Sequence, residues 1–457
     1  MQKKMGLERK GDMVYIEIPE KAERILQVLH ANGHEAYVVG GCVRDSILGR
    51  TPGDWDITTS ASPQQVKELF ARTIDTGIQH GTVTVLDGRD GFEVTTYRID
   101  GEYEDARHPK EVLFTSNLLE DLKRRDFTIN AMAYNDVAGL VDAFDGEGDL
   151  KRGIVRCVGN ATERFTEDAL RMLRAVRFCA QLGFTMEAST KDAIRHLAPN
   201  IARISAELIQ VELVKLLVSP HPEEIRSAYE TGLTKVFLPE FDRMMETKQQ
   251  NKHHKFTVGE HTIAALQQIP ADRVLRLTML FHDVAKPLCL TTDANGCDHF
   301  YGHPKKGAQM AKSIMRRLKF DNETTDAVVR LVTCHDDNPV LEEKEIRYAI
   351  FRNGEAQYPK LFAVKRADIA AQSDYHRKEK NNYVNQYEKI YHEILEKKQC
   401  LSLKSLALTG KDLIQAGMTP GKELGEMLQF LLQRVLEHPE WNQKDTLLEL
   451  YQKQKRS

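Results

Sequence analysis

The apolar residues of this chain change their period once. From Ala36 to about Ala143 they fall in short β-branched runs, EAYVV, DWDITT, GTVTVL and FEVTTYRI, separated by helical stretches and Gly or Pro turns. That is the pattern of an α/β domain. From Asn160 onward they recur every three or four residues, as in ALRMLRAVRFCAQLGF and AELIQVELVKLLV, which predicts long amphipathic helices and a remainder that is almost wholly helical. Interruptions near Ser219 to Pro222, Lys248 to Lys255 and Ala371 to Asn382 divide the helical part. The expected organisation is four domains, over residues 1–160, 161–250, 251–375 and 376–457. A chain of 457 residues, 41% hydrophobic and 29% charged, has the length and balance for several packed cores.

Composition excludes some functions. No apolar run approaches the ~18 residues of a membrane span, and the first residues lack the apolar stretch of a signal peptide. A cytoplasmic protein with no membrane partner is expected. Seven cysteines without a CxxC pair read as free thiols. With a net charge of −3, nucleic acid can be bound only through local basic clusters. Such clusters stand at Lys123 to Arg125, Arg164 to Arg177 and Lys305 to Lys319.

Two short segments carry chemistry. Val38 and Val39 end an apolar run, Gly40 and Gly41 follow, and CVRDSILGR reads as a helix. Strand, Gly-Gly, helix presents outward backbone N–H groups to which an anion can come close. Asp54 and Asp56 then stand two apart in GDWDITT, an extended segment that places both carboxylates on one face. Like charges held so near each other suit a divalent cation with hard oxygen ligands, Mg²⁺ or Mn²⁺.

In order along the chain, VGGCVRD (Val39 to Asp45), GDWDITT (Gly53 to Thr59), EDLKRRDFTINAMAYN (Glu120 to Asn135) and RFTEDALRMLRAVRF (Arg164 to Phe178) resemble the motifs of class II tRNA nucleotidyltransferases. These are the CCA-adding enzymes and their bacterial poly(A) polymerase relatives. The resemblance implies an α/β polymerase-β-type nucleotidyltransferase head followed by an all-α neck, body and tail. It also implies that Asp54 and Asp56 hold two catalytic Mg²⁺ ions, and that Gly41, Arg44 and Arg125 bind the nucleotide. The implied reaction is template-independent addition of C, C and A, or of the terminal A alone, to the tRNA 3′ end from CTP and ATP. Poly(A) synthesis is the alternative within the class. The tail is expected to hold the tRNA elbow.

Asp168, Arg171, Arg174 and Arg177 recur every three residues, a spacing that drifts round a helix. Asp168 and Arg171 are therefore assigned to the base edge, and Arg174 and Arg177 to phosphates or to bracing head against neck. A carboxylate and a guanidinium suit the exocyclic amine and adjacent ring nitrogen that cytosine and adenine share. The loop with Asp105 and Arg107 looks like that of enzymes that add the terminal A. One departure from the family is Leu208 after Glu207, where an Arg is common.

Further on, His261, His282 with Asp283, and Asp368 stand on separate helical stretches, GEHTIAAL, LTMLFHDVAKP and VKRADIAAQ. Their spacing is similar to that of HD-type metal phosphohydrolases, which implies a second divalent metal with His303 and His335 as further ligands. A metal-dependent phosphohydrolase is the reading from a different functional class.

Overall fold

The protein is described by a computed structural model over residues 8–10, 13–101, 112–253 and 255–456, so Asp105 and Arg107 lie outside the described residues. Contacts divide the chain into two compact units, Met1–Pro239 and Glu240–Ser457.

In the first unit the β-branched runs build a seven-stranded mixed sheet. Its strands are β1 (Ala36–Val39), β2 (Ile57–Thr59), β3 (Thr73–Gly77), β4 (Thr82–Asp87), β5 (Asp90–Thr96), β6 (Met132–Asn135) and β7 (Gly139–Asp142). Their spatial order is β7-β6-β1-β2-β5-β4-β3. All neighbours pair antiparallel except β2 and β5, which are parallel. In the central strands Ala36, Val38 and Val39 of β1 and Met132 to Asn135 of β6 are buried, which explains why these runs lack strict alternation. Helix α1 (Glu20–Ala31) buries Ala22, Ile25, Leu26 and Leu29 on the stripe that packs on β1 and β2.

Topology decides where the motifs meet. Because β1 and β2 are antiparallel, with Val38 opposite Ile57, the Gly-Gly turn after β1 lies at the same end of the sheet as Asp56 before β2. Because β5 runs parallel to β2, with Val94 opposite Ile57, Glu93 comes to that end as well. Strand β6 is antiparallel to β1, with Ala133 opposite Val39, so the segment Arg125 to Asn130 that enters β6 arrives there too. Helices α2 (Gly41–Ile47) and α3 (Leu118–Lys123) flank this end.

The neck contributes α4 (Ala161–Glu167), α5 (Leu170–Leu182) and α6 (Ala206–Leu217). Here the structure differs from a single helix through EDALRMLRAVR. Asp168 has φ −137° and ψ 102°, and its Oδ1 accepts from the Leu170 N–H at 2.9 Å. An aspartate that caps the next turn with its own side chain competes with helix continuation, so α4 stops and α5 begins.

Among the described residues the second unit is helical apart from one two-stranded ribbon, Thr291–Thr292 with Asp298–His299. Its main helices are α7 (Val258–Gln268), α8 (Arg273–Phe281), α9 (His303–Arg317), α10 (Asn322–Cys334), α11 (Tyr358–Ala371), α12 (Arg377–Glu396) and α13 (Lys422–Glu437). The boundary expected at residue 375 falls between α11 and α12, yet one core runs across it from Leu331 to Tyr451. Tyr358 stacks on Tyr391 at 5.1 Å between ring centroids, and its hydroxyl is 2.9 Å from that of Tyr387. Among the described residues no helix is long and apolar enough to cross a membrane. All seven cysteines are unpaired.

Candidate active site

Asp56 lies just before β2, and its carbonyl accepts from the Val39 N–H at 2.9 Å, which fixes it against the Gly-Gly turn. Its carboxyl is pushed up to about 6, first by burial, then by the charges of Asp54 and Glu93, with Arg125 pulling the other way. Asp54 and Glu93 are exposed beside it. Three carboxylates stand at one end of the sheet, one of them disfavoured as an anion, and carboxylate oxygens are the ligand type that hard divalent cations take. Glu93 was not singled out from sequence. Its place depends on the parallel register of β5 and β2, and a lone Glu in FEVTTYR gives no signal of that.

Gly40 adopts φ 80° and ψ −122°. That positive φ favours glycine, and a Cβ there would sit 3.1 Å from Nη1 of Arg125, so a side chain would also crowd the guanidinium beside the turn. Gly41 opens α2. Arg125 is held by Asp121, whose Oδ2 accepts from Nη2 at 3.3 Å, while its buried Nε–H has no hydrogen-bond acceptor among the described residues. Asp121, fully buried, also accepts from Arg124 and from the Thr58 hydroxyl. Burial opposes its charge, but Arg125 and Arg124 hold the carboxyl below the usual carboxylate range. Arg44 is fixed by a two-point pair with Asp45, at 2.9 Å on each side, and donates to Asn130 Oδ1 at 2.6 Å. Arg44 and Arg125, the two arginines that the resemblance assigns to the nucleotide beside Gly41, thus flank the sheet end that bears the carboxylates.

The neck arginines divide their labour. Arg174 donates through Nε and Nη2 to Asp126 Oδ2 at 2.9 and 2.5 Å, joining α5 to the segment after Arg125. Although Asp126 is buried, Arg174 and Asn130 hold its carboxyl far below the usual range. Arg177 donates to Glu212 Oε2 of α6 at 2.5 Å, so the neck is braced without an Arg at position 208. Phe178 collects the charges of Arg44, Arg174 and Arg177, whose guanidinium carbons lie 5.2, 5.6 and 3.9 Å from its ring centroid. Arg171 is buried, donating to Glu167 Oε2 and to the Arg124 carbonyl, both at 2.9 Å. Asp168 stands at the break before it, and its carbonyl accepts from the Arg171 N–H at 3.1 Å.

The second unit assembles the other constellation. His261 on α7, His282 at the end of α8, Asp283 after it, His303 opening α9, His335 ending α10 and Asp368 on α11 converge. His261 Nε2 is 2.8 Å from Asp368 Oδ1, and His282 Nε2 is 3.2 Å from Asp283 Oδ2. His303 Nε2 is 3.4 Å from Asp283 Oδ1. Burial drives His335 down to about 3, with His282 and His303 adding to it. Burial opposes the charge on Asp283 and on Asp368 too, but His282 and Lys286 hold the first, and His261 the second, well below the usual range. Lys286 Nζ lies 2.7 Å from Asp283 Oδ2. The cluster opens on a cavity of about 700 Å³ whose lining includes Lys365, Lys380 and Tyr383.

Comparison with known proteins agrees with the head geometry. Residues 36–156 match the poly(A) polymerase head domain and residues 183–245 the RNA- and SrmB-binding site of polymerase A. Residues 304–451 match tRNA nucleotidyltransferase domain 2. The CCA-adding enzyme of Lactiplantibacillus plantarum is 36% identical over 441 residues, 96% of this chain and 97% of that one. That of Levilactobacillus brevis is 36% identical over 430 residues, covering 94% and 96%. The crystal structure of the Bacillus stearothermophilus CCA-adding enzyme in complex with CTP superposes with a TM-score of 0.72 at 28% identity, over 96% of this chain and 100% of that one. With a polymerase-type sheet end carrying paired carboxylates and relatives that align from end to end, the chain belongs to the CCA-adding enzymes, the class II tRNA nucleotidyltransferases.

Proposed function

We infer that the protein adds cytidine, cytidine and adenosine in turn to the 3′ end of tRNA, using CTP and ATP without a nucleic-acid template. The observation that carries this is the convergence of Asp54, Asp56 and Glu93 with Arg125 and the Gly40 turn at one end of the head sheet. The 3′-hydroxyl oxygen attacks the α-phosphorus, a new P–O bond forms, the bond to the β-phosphate oxygen breaks, and pyrophosphate leaves. Asp54 and Asp56, with Glu93, would hold the metals, and Mg²⁺ fits an all-oxygen donor set. When bound, two such ions neutralise the triphosphate and acidify the attacking hydroxyl. Arg44 and Arg125 bind the triphosphate through donors fixed beforehand by Asp45, Asn130 and Asp121.

Base selection is assigned to Asp168 and Arg171. A carboxylate accepting from an exocyclic amine suits C and A, whereas U and G present a carbonyl there and leave the carboxylate unpaired. The helical tail, residues 376–457, holds the tRNA elbow through its backbone. The test uses three tRNAs, ending at the discriminator base, at C and at CC, with CTP and ATP separately and together. Full addition is expected only with both nucleotides on the first two, and ATP alone must suffice on the third. Extension by ATP past a single A would identify a poly(A) polymerase, and failure of CTP on the first two an A-adding enzyme.

A second centre is favoured by the buried histidines and aspartates around Asp283. We assign them to an HD-type site for a divalent transition metal, since imidazoles and carboxylates together suit one. Metal retained through dialysis and lost in Asp283→Ala is the expected result.

A further inference from the structure

We propose that Phe178 of the neck is a positioning residue for the nucleotide triphosphate: its ring fixes the guanidinium plane of Arg44 and so sets how tightly CTP and ATP are held. The proposal rests on the preceding assignment of Arg44 to the triphosphate and names the side chain that stands behind it. Phe178 is buried in α5, 4% exposed, and has no hydrogen-bonding group to offer a ligand. What a phenyl ring offers a guanidinium is the negative face of its quadrupole. The guanidinium carbons of Arg177, Arg44 and Arg174 lie over this one ring at 3.9, 5.2 and 5.6 Å. Three like charges round one ring repel unless each is balanced. Each has its own carboxylate, Glu212 for Arg177, Asp45 for Arg44 and Asp126 for Arg174. With charge balanced by the carboxylates, the ring's contribution is orientation.

Orientation matters most for Arg44. Its Nε and Nη2 donate to Asp45 and its Nη1 to Asn130, which engages three of the five guanidinium N–H groups and leaves two, one on each Nη, for phosphate oxygens. A planar fork presents such a pair only where its plane is held. Asp45 is the next residue of the same short helix, α2, and moves with it. Asn130 and Phe178 come from elsewhere in the chain and belong to one circuit. Asn130 Nδ2 donates to Asp126 Oδ1 at 3.1 Å, and Asp126 Oδ2 accepts from Arg174, which stands one helical turn before Phe178 in α5. Phe178 closes the circuit back to Arg44 from the other side. Its edge-to-face contact with Phe127, 5.6 Å between centroids at 77°, holds the ring itself in place. Because phosphates are alike on every nucleotide, opening this circuit should weaken all of them equally and leave base selection untouched.

The test drains charge from the face of the ring while keeping its shape. The full chain is made with phenylalanines bearing one, two and three ring fluorines at position 178, in the parent and in Arg44→Ala, and kcat and KM are measured for CTP, ATP and UTP on tRNA. In the parent, KM for every nucleotide should rise with each fluorine, roughly three- to tenfold across the series, with kcat flat and the CTP to UTP ratio unchanged. In Arg44→Ala, KM should start high and no longer respond to fluorine. A ring that only fills space would give no fluorine dependence, and one that acts through Arg174 or Arg177 would give the same dependence in both backgrounds. Either result overturns the proposal while leaving Arg44 on the triphosphate. Parental KM in Arg44→Ala would overturn that assignment, and the proposal with it.

Discussion

At the residue scale, burial and like charge make Asp56 the most telling side chain of the head. With its carboxyl near 6 in the folded protein against 3.8 as an ordinary aspartate, the metal-free fold binds a proton that the unfolded chain has lost over that interval. Stability therefore falls as pH rises from about 4 to about 6, and the deficit is complete above it. Metal-free Asp56→Asn is expected to melt a few degrees above its parent at pH 8, the gap closing toward pH 4. Calorimetry across that range checks it, and a gap that does not depend on pH contradicts the burial argument. Asp168→Ala is expected to narrow the preference for CTP over UTP roughly ten- to a hundredfold, the worth of one misplaced polar contact. Equal losses of kcat/KM on all four nucleotides would instead make Asp168 a structural cap for α5. Asp54 and Asp56 were legible in the sequence because their close spacing beside a Gly-Gly turn marks them locally, whereas Arg44 and Arg125 were named only through the motifs that resemble the family. Glu93 and Asp121 were not, since one is defined by strand register and the other by what it holds.

At the scale of elements, the change of apolar period separated sheet from helices correctly, because period follows directly from which faces are buried. The break at Asp168 escaped that reading, since EDALRMLRAVRF keeps helical spacing through it and only the aspartate's hydrogen bond to Leu170 shows the stop. The bracing of the neck was visible in outline as an arginine every three residues, but its partners come from afar in sequence. Arg177 and Glu212 are both buried, with side chains 8% and 5% exposed, so removing one strands the other's charge. Glu212→Ala is expected to cost about 3 to 5 kcal/mol, read as a lower urea midpoint for the transition that melts α5 and α6. Arg174→Ala should cost less, about 2 kcal/mol, because Arg174 is partly exposed where it meets Asp126. A larger loss for Arg174→Ala than for Glu212→Ala would reverse the assignment of the main brace.

At the scale of the whole molecule, the carboxylates of the head and the histidine and aspartate cluster belong to different compact units. The histidine and aspartate residues of the second unit were named from their spacing, while their convergence around Asp283 needed five helices in place. Metal retained by the second unit should not change when Asp54→Ala and Asp56→Ala abolish nucleotide addition, because no residue is shared. Parallel loss of both would show that the centres are coupled. The central claim is that the protein itself, with no template, writes a fixed sequence and stops. The most direct measurement is to incubate the parent with tRNA ending at the discriminator base and equal concentrations of all four nucleoside triphosphates, then sequence the 3′ ends. The expected product ends in CCA and grows no further. Runs of A, or U and G at the added positions, would contradict the account.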